Sequence, residues 1–154
     1  MNKFIYVIIL FISNNIFSQT EIDWLMLRDV YYKSEYKDDV DGYMQIPFFG
    51  KGVEDLDNKE VKITGFMLTL SPDEGIFVLS QNPYADCFFC GYGGPESAIE
   101  LRLKPGYDSF LMDELVTVTG ILRLNREDVS SGVYVMDNAV AVKDWERLFQ
   151  DCCF

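Results

Sequence analysis

Two stretches of the chain, residues 59–70 (KEVKITGFMLTL) and 115–125 (LVTVTGILRLN), decide the fold. Apolar side chains recur at every second position in both, which is the period of a strand with one buried face. Both also place Thr-Gly at the same point, so that Gly65 and Gly120 are the fifth residues counted from Val61 and Val116. Glycine inside a strand marks a bulge or a sharply coiled point. A small closed barrel needs such points at its corners, and we therefore predict two coiled barrel strands.

Three shorter stretches complete the β pattern: residues 75–80 (GIFVLS), 98–104 (AIELRLK) and 132–142 (GVYVMDNAVAV). Five strands, the first and fourth coiled at glycine, resemble the OB fold, which is a five-stranded Greek-key barrel. We predict a mainly β protein with a small OB-like five-stranded Greek-key barrel over residues 59–143, a short N-terminal helix and a short C-terminal helix. An open β-sandwich is the competing architecture.

The first 18 residues have the pattern of a secretory signal peptide. Lys3 gives a positive start, residues 4–12 are an unbroken apolar run, and Ser18 is a small residue suited to the position before a cut. A run of nine residues is too short to span a bilayer, which needs about 20. We predict cleavage after Ser18 or Gln19 and a secreted or periplasmic location, with an uncleaved membrane anchor as the alternative.

Residues 19–58 are expected to pack on the barrel as a brief helix followed by an irregular strap. Thr20 can cap the helix, in which Trp24, Leu27 and Tyr31 fall at helical spacing. The strap, residues 42–58, has four expected anchors in the core: Phe48, Phe49, Val53 and Leu56. Residues 144–154 are predicted to form a short tail helix packed through Trp145, Leu148 and Phe149.

Composition excludes several classes of function. The chain of 154 residues has 25 acidic and 13 basic residues, a formal net charge of −12 and no histidine. Histidine-dependent nucleophile pairs, HExxH zinc sites and histidine bases are therefore excluded. The basic residues are scattered, whereas nucleic acid and anionic membrane surfaces require clustered cations. We expect neither as a partner.

The longest connection, residues 81–97, contains CFFCGYGGPE from Cys87 to Glu96. With the upstream ITGFML strand, this segment resembles an uncharacterised family of exported OB-like proteins of Gram-negative bacteria that carry a Cys-Phe-Phe-Cys-Gly loop followed by Gly-Pro-Glu. The positions that match the loop of that family are Cys87, Cys90, Gly91, Gly94, Pro95 and Glu96. The resemblance implies export and a barrel fold, and no settled activity.

Cys87 and Cys90 allow three interpretations. An oxidising compartment favours a structural disulfide, with Cys152 and Cys153 as further disulfide candidates. Alternatively, C-x-x-C is half of a thiolate site for zinc or copper, for which we select Cys87, Cys90 and Glu96 as candidate ligands. Asp86, or Cys152 with Cys153, are the other candidates for the two further ligands that a tetrahedral site needs. Thiol–disulfide exchange is the third interpretation. Asp86 argues against it, because a neighbouring carboxylate disfavours the thiolate.

The sequence therefore predicts a secreted binding module rather than an enzyme. Its predicted working surface is the 81–97 loop, and its ligand a soft metal ion or an envelope protein. Phe88, Phe89 and Tyr92 are the candidate partner-binding residues. A thiol–disulfide oxidoreductase, and a purely structural disulfide with function elsewhere, are the alternatives.

Overall fold

The computed structural model describes residues 19–38, 41–86, 93–106, 109–128 and 130–144. Three strands and a short helix precede the barrel: β1 (Thr20–Glu21), β2 (Val30–Lys37), β3 (Gly42–Phe49) and α1 (Lys51–Glu54). Five strands follow, namely β4 (Glu60–Ser71), β5 (Ile76–Ser80), β6 (Ala98–Leu103), β7 (Glu114–Leu124) and β8 (Tyr134–Lys143). All five predicted barrel strands are confirmed, with ends that differ by two residues or fewer.

The five strands from β4 to β8 form a closed barrel. They pair in the order β4-β5-β6-β8-β7, and β7 returns to pair with β4 along eight residues. The β6–β8 pair is parallel, whereas the other four pairs are antiparallel. The protein is therefore mainly β with a five-stranded closed barrel, which is consistent with the predicted OB-like architecture and excludes the open sandwich.

Alternating side chains from every strand fill the barrel. Val61, Ile63 and Met67 of β4 are at most 1% exposed, and the corresponding residues of the other strands are buried as well. These are Phe77, Leu79, Ile99, Leu101, Val116, Val118, Leu122, Tyr134, Met136, Ala139 and Ala141. A smaller apolar cluster, Leu68 and Val78 with Ala98, lies on the outer face of β4, β5 and β6.

The two strand glycines are required because other groups approach them closely. A Cβ added at Gly65 would lie 2.6 Å from the Ser80 carbonyl oxygen and 2.9 Å from the Trp24 ring. At Gly120 it would lie 2.6 Å from Met136 Cγ. The β7–β8 register shifts beside Gly120, where Asn138 on β8 has a φ of 53°. The predicted bulge at a strand glycine therefore lies opposite Gly120, on β8.

The predicted N-terminal helix is wrong. Residues 19–29 instead form β1, which pairs in parallel with β4, and a single 3-10 turn at Met26–Arg28. Trp24 Nε1 donates to the Thr64 carbonyl at 2.8 Å, and the Leu27 carbonyl accepts from the Tyr134 hydroxyl at 2.7 Å. Hydrogen bonds therefore hold Trp24 against β4 and Leu27 against β8, at two different places on the barrel. These tertiary contacts override a helix too short to be stable alone.

Most of the region predicted as an irregular strap is regular structure. β2 and β3 pair in register from Val30↔Phe49 to Lys37↔Gly42 as a two-stranded hairpin, and α1 follows. Pro47 is compatible with β3 because that strand lies at the edge of a sheet. Three expected anchors, Phe49, Val53 and Leu56, are buried, and Phe48 is partly exposed.

The predicted signal peptide, residues 1–18, and the tail helix with Trp145, Leu148 and Phe149 lie outside the described residues. Within the described part of the chain, no helix has the length and apolar character needed to cross a membrane.

Candidate functional site

The 81–97 loop joins β5 to β6, and both of its ends are fixed. Gln81 N donates to the Ser97 carbonyl at 3.0 Å, which extends the β5–β6 ladder by one bond beyond Ser80 and Ala98. The buried Ser97 hydroxyl donates to the Gly94 carbonyl at 2.8 Å. Short 3-10 turns at Tyr84–Asp86 and Pro95–Ser97 continue inward from the two ends. The base of the loop is therefore ordered by its own hydrogen bonds.

Two other segments hold this base from either side. On one side, Arg28 donates to the Gln81 side-chain oxygen at 3.3 Å. On the other, Tyr84 N donates to Asp113 Oδ1 at 2.6 Å. Asp113 in turn is bound to the barrel, because its N–H donates to the Met67 carbonyl at 2.9 Å. Hydrogen bonds from two other segments therefore fix the described ends of the loop, and a rigid base of this kind is usual for binding loops.

Glu96 is the predicted metal ligand that the structure describes. Its carboxylate accepts a hydrogen bond from the half-buried Tyr32 hydroxyl at 3.3 Å. Burial, and then the Glu96 charge, raise the pKa of Tyr32 well above its usual range. Tyr32 therefore stays a neutral donor to Glu96. This contact joins the loop to β2 of the hairpin.

Tyr134 lies behind this pair, fully buried. Its pKa is raised by burial first, and then by the nearby groups of Tyr32, Glu96 and Asp29. Its ring also packs against Phe49 with centroids 5.6 Å apart. Sequence reasoning did not find the group Tyr32, Glu96 and Tyr134, because its members come from three distant segments with no shared spacing.

The other predicted site residues lie outside the described part of the chain. They are the disulfide or metal candidates Cys87, Cys90, Cys152 and Cys153, and the partner-binding candidates Phe88, Phe89 and Tyr92. The described residues contain no cluster of three or more carboxylate, thiol or imidazole ligands.

Exposed apolar side chains stand on the segments that hold the loop. We name Leu25, Met26, Tyr84, Leu111 and Met112 the apolar rim. Leu25 and Leu111 are 71% and 72% exposed, respectively. All five side chains are at least 41% exposed, and they stand on three segments that meet at the base of the loop through the Arg28 and Asp113 hydrogen bonds. The sequence analysis missed the rim because its members belong to three loops.

A separate groove of about 460 Å³ runs along the outer face of β5 and β6. Ile76, Val78 and Ala98 form its apolar floor, and residues 74–75 and 130–132 border it. At its rim, Glu100 accepts from Gly132 N at 2.9 Å and pairs with Arg102. Its volume lies within the range of about 300–1,000 Å³ that small-molecule sites occupy.

These features define a class: a closed five-stranded β-barrel that presents a long loop from one end and a groove on its outer face. A DUF3299 family protein from Pseudomonas aeruginosa PAO1 has a similar crystal structure, with a TM-score of 0.52 and 13% identical residues. The match covers 82% of this chain and 98% of that one. At this identity the likeness shows the fold alone. No protein-family model and no curated protein matches the chain.

Proposed function

We propose that the protein is an exported binding module that acts through the 81–97 loop and the apolar rim. The observation that carries this proposal is the fixation of the loop base by Arg28 and Asp113, on segments that also expose Leu25, Met26, Leu111 and Met112. A rigid base lowers the entropy lost when the loop binds a ligand. The acidic charge makes nucleic acid and anionic membranes unsuitable ligands.

The ligand is a protein of the bacterial envelope or a soft metal ion. Phe88, Phe89 and Tyr92 belong to the same loop as the thiols and would extend the apolar rim into one docking surface. Cys87 and Cys90 would supply two thiolates to zinc or copper(I), which prefer sulfur ligands. Glu96 is a third candidate ligand, and it would have to exchange its Tyr32 contact for the metal.

Equilibrium dialysis of the reduced mature protein against zinc and copper(I) tests metal binding. The expected result is stoichiometric uptake, lost in the Cys87→Ser, Cys90→Ser variant and kept in the Cys152→Ser, Cys153→Ser variant. Equal uptake by all three proteins would eliminate a metal site at the Cys87 and Cys90 thiols. No uptake by the wild type would eliminate metal binding altogether.

Affinity capture from an envelope extract of the source bacterium tests the protein ligand. A specific partner should be recovered with the wild type and lost with Leu25→Ser, Leu111→Ser, because both changes shorten exposed apolar side chains of the rim. Ile76→Ser is the matched control, since Ile76 is 42% exposed at the opposite end of β5. If recovery of the partner falls only with Ile76→Ser, the working surface lies in the groove on the outer face of β5 and β6 instead.

A further inference from the structure

The outer strand of the hairpin, β2, has an open edge. Among the described residues, β2 pairs with β3 alone, and no backbone hydrogen bond joins Val30–Lys37 to another strand. β3 faces residues 125–128 across a small cleft, so β2 is the strand that points away from that segment. β2 has eight residues without proline or glycine. An unpaired row of backbone N–H and C=O groups on such a strand can accept another strand.

The sequence of β2 complements itself when two copies run antiparallel. Centred on Ser34, the segment YYKSEYK of residues 31–37 pairs Lys33 with Glu35 twice. The same register pairs Tyr32 with Tyr36, and it pairs Tyr31 with Lys37. Directly opposed residues of an antiparallel pair share one face of the sheet, so these side chains would be in contact. Every charge on the strand then meets an opposite charge or an aromatic ring.

Neighbouring registers lack this match. Two identical strands that pair antiparallel are related by a two-fold axis. If the same face of both strands is to lie on the same side of the sheet, one residue must lie directly opposite its own copy, and the axis passes between the two. An axis through Lys33 would oppose two lysines, and an axis through Glu35 would oppose two glutamates and place Lys33 against Lys37. Lysine on an edge strand normally prevents association. The register centred on Ser34 removes that repulsion.

The local charge and exposure suit contact between copies. Val30–Lys37 contains two lysines and one glutamate, and therefore does not share the strong negative charge of the chain. Ser34 is exposed, and Tyr31 and Tyr36 are 55% and 50% exposed. Lys33 Nζ lies 4.4 Å from the Phe48 ring centroid, on the face that would carry the Lys33–Glu35 pairs.

We propose that two copies of this chain associate through antiparallel pairing of β2 with β2, centred on Ser34, to form a four-stranded sheet from two hairpins. The partner is a second copy because the strand is complementary to itself in charge. The proposal does not rest on the ligand proposed for the 81–97 loop.

Sedimentation velocity of the mature protein from micromolar to millimolar concentration tests the assembly. The wild type should dimerise. Lys33→Glu and Glu35→Lys should each weaken the dimer about tenfold to hundredfold, because each opposes like charges twice. The double variant restores both pairs and should dimerise like the wild type. A mixture of the two single variants should form the mixed dimer. Urea unfolding of each variant separates loss of pairing from loss of the hairpin.

A cysteine at the axis tests the register. Ser34→Cys places two thiols opposite each other, and opposed Cα atoms about 4.5–5.5 Å apart lie within disulfide range. After mild oxidation and trypsin, the four-residue peptide of residues 34–37 should be found linked to its own copy. Gln45→Cys is the control, because Gln45 lies opposite Ser34 on β3 and away from the axis. A monomeric wild type, a dimer indifferent to the charge exchange, or equal cross-linking at both positions would each overturn the proposal.

Discussion

Tyr134 connects the N-terminal segment to the barrel through one buried hydrogen bond. Its hydroxyl donates to the Leu27 carbonyl at 2.7 Å, and both residues have no exposed surface. Tyr134→Phe leaves that carbonyl without its donor. We expect a loss of about 1–3 kcal/mol in the free energy of unfolding, measured in urea at neutral pH. Tyr36→Phe is the control, because the Tyr36 hydroxyl bonds Asp41 at the exposed hairpin tip, where the loss of a hydrogen bond to a solvated group should change the free energy of unfolding far less.

The effect of Tyr134→Phe should also depend on pH. The folded protein raises the pKa of Tyr134 above its usual value of about 10, so the unfolded chain releases the proton first. The stabilisation is complete below pH 10 and is lost as the pH rises beyond it. The difference between variant and wild type should therefore narrow above about pH 10. If the difference in the free energy of unfolding between the variant and the wild type widened above about pH 10, Tyr134 would not be a neutral hydrogen-bond donor in the folded protein.

At Gly65 the barrel backbone and the Trp24 ring of the N-terminal segment both lie close to the position that a Cβ would take. Gly65→Ala places a methyl group 2.6 Å from the Ser80 carbonyl oxygen, an atom of the barrel backbone that cannot move cheaply. We expect a loss of about 2 kcal/mol or more in the free energy of unfolding. Gly52→Ala in α1 is the control, because its nearest neighbour would lie 4.0 Å away. It should be neutral or slightly stabilising. Equal losses in both variants would contradict the close-approach explanation.

At the scale of elements, an ion pair joins the first residue of β7 to the last residue of β8. Lys143 Nζ lies 2.7 Å from Glu114 Oε1, and the other carboxylate oxygen accepts from Leu111 N at 3.0 Å. Burial raises the pKa of Glu114, but the bonds from Lys143 and Leu111 outweigh it and hold that pKa below its usual range. The pair therefore stabilises the fold above about pH 4.5 and loses its effect as the pH falls through the lowered pKa.

Lys143→Met tests this pair, because it keeps most of the side-chain volume and removes the charge. We expect a loss of about 1–2 kcal/mol at pH 7 that shrinks as the pH falls below about 4, measured by urea unfolding over that range. Lys51→Met is the control, because Lys51 pairs with Asp55 at an 85% exposed position. A Lys143→Met loss that stays constant with pH would show that packing, rather than charge, accounts for it.

Elements were predictable from the sequence where a local pattern determines them. The alternation in 59–70 and 98–104 yields β4 and β6 directly. Of the two strand glycines, Gly120 lies opposite a bulge as predicted, whereas the β4–β7 pairing runs through Gly65 without one. The N-terminal helix failed because Trp24 and Leu27 are placed by Thr64 and Tyr134, which are distant in sequence. The same limit explains why the apolar rim was missed, since its members belong to three separate loops with no shared spacing.

At the scale of the whole molecule, the proposed export would change the charge. Cleavage after Ser18 would remove Lys3 and no acidic residue, and it would take the formal charge from −12 to −13. Such a charge keeps copies apart in solution. Association of two copies must therefore use a surface where that charge is locally balanced, such as the β2 edge.

Export of the full chain gives the last prediction. Expressed in a Gram-negative host, the protein should be recovered from the periplasm with the mass of a chain that begins at Gln19 or Thr20. Ile8→Asp, Ile9→Asp should abolish export, because charge in the apolar run prevents its recognition. Ile16→Ala places a small residue three positions before the cut and should raise the cleaved fraction. If the wild type remains in the membrane at full mass, residues 4–12 act as an anchor, and the soluble module proposed above would be tethered to the membrane surface.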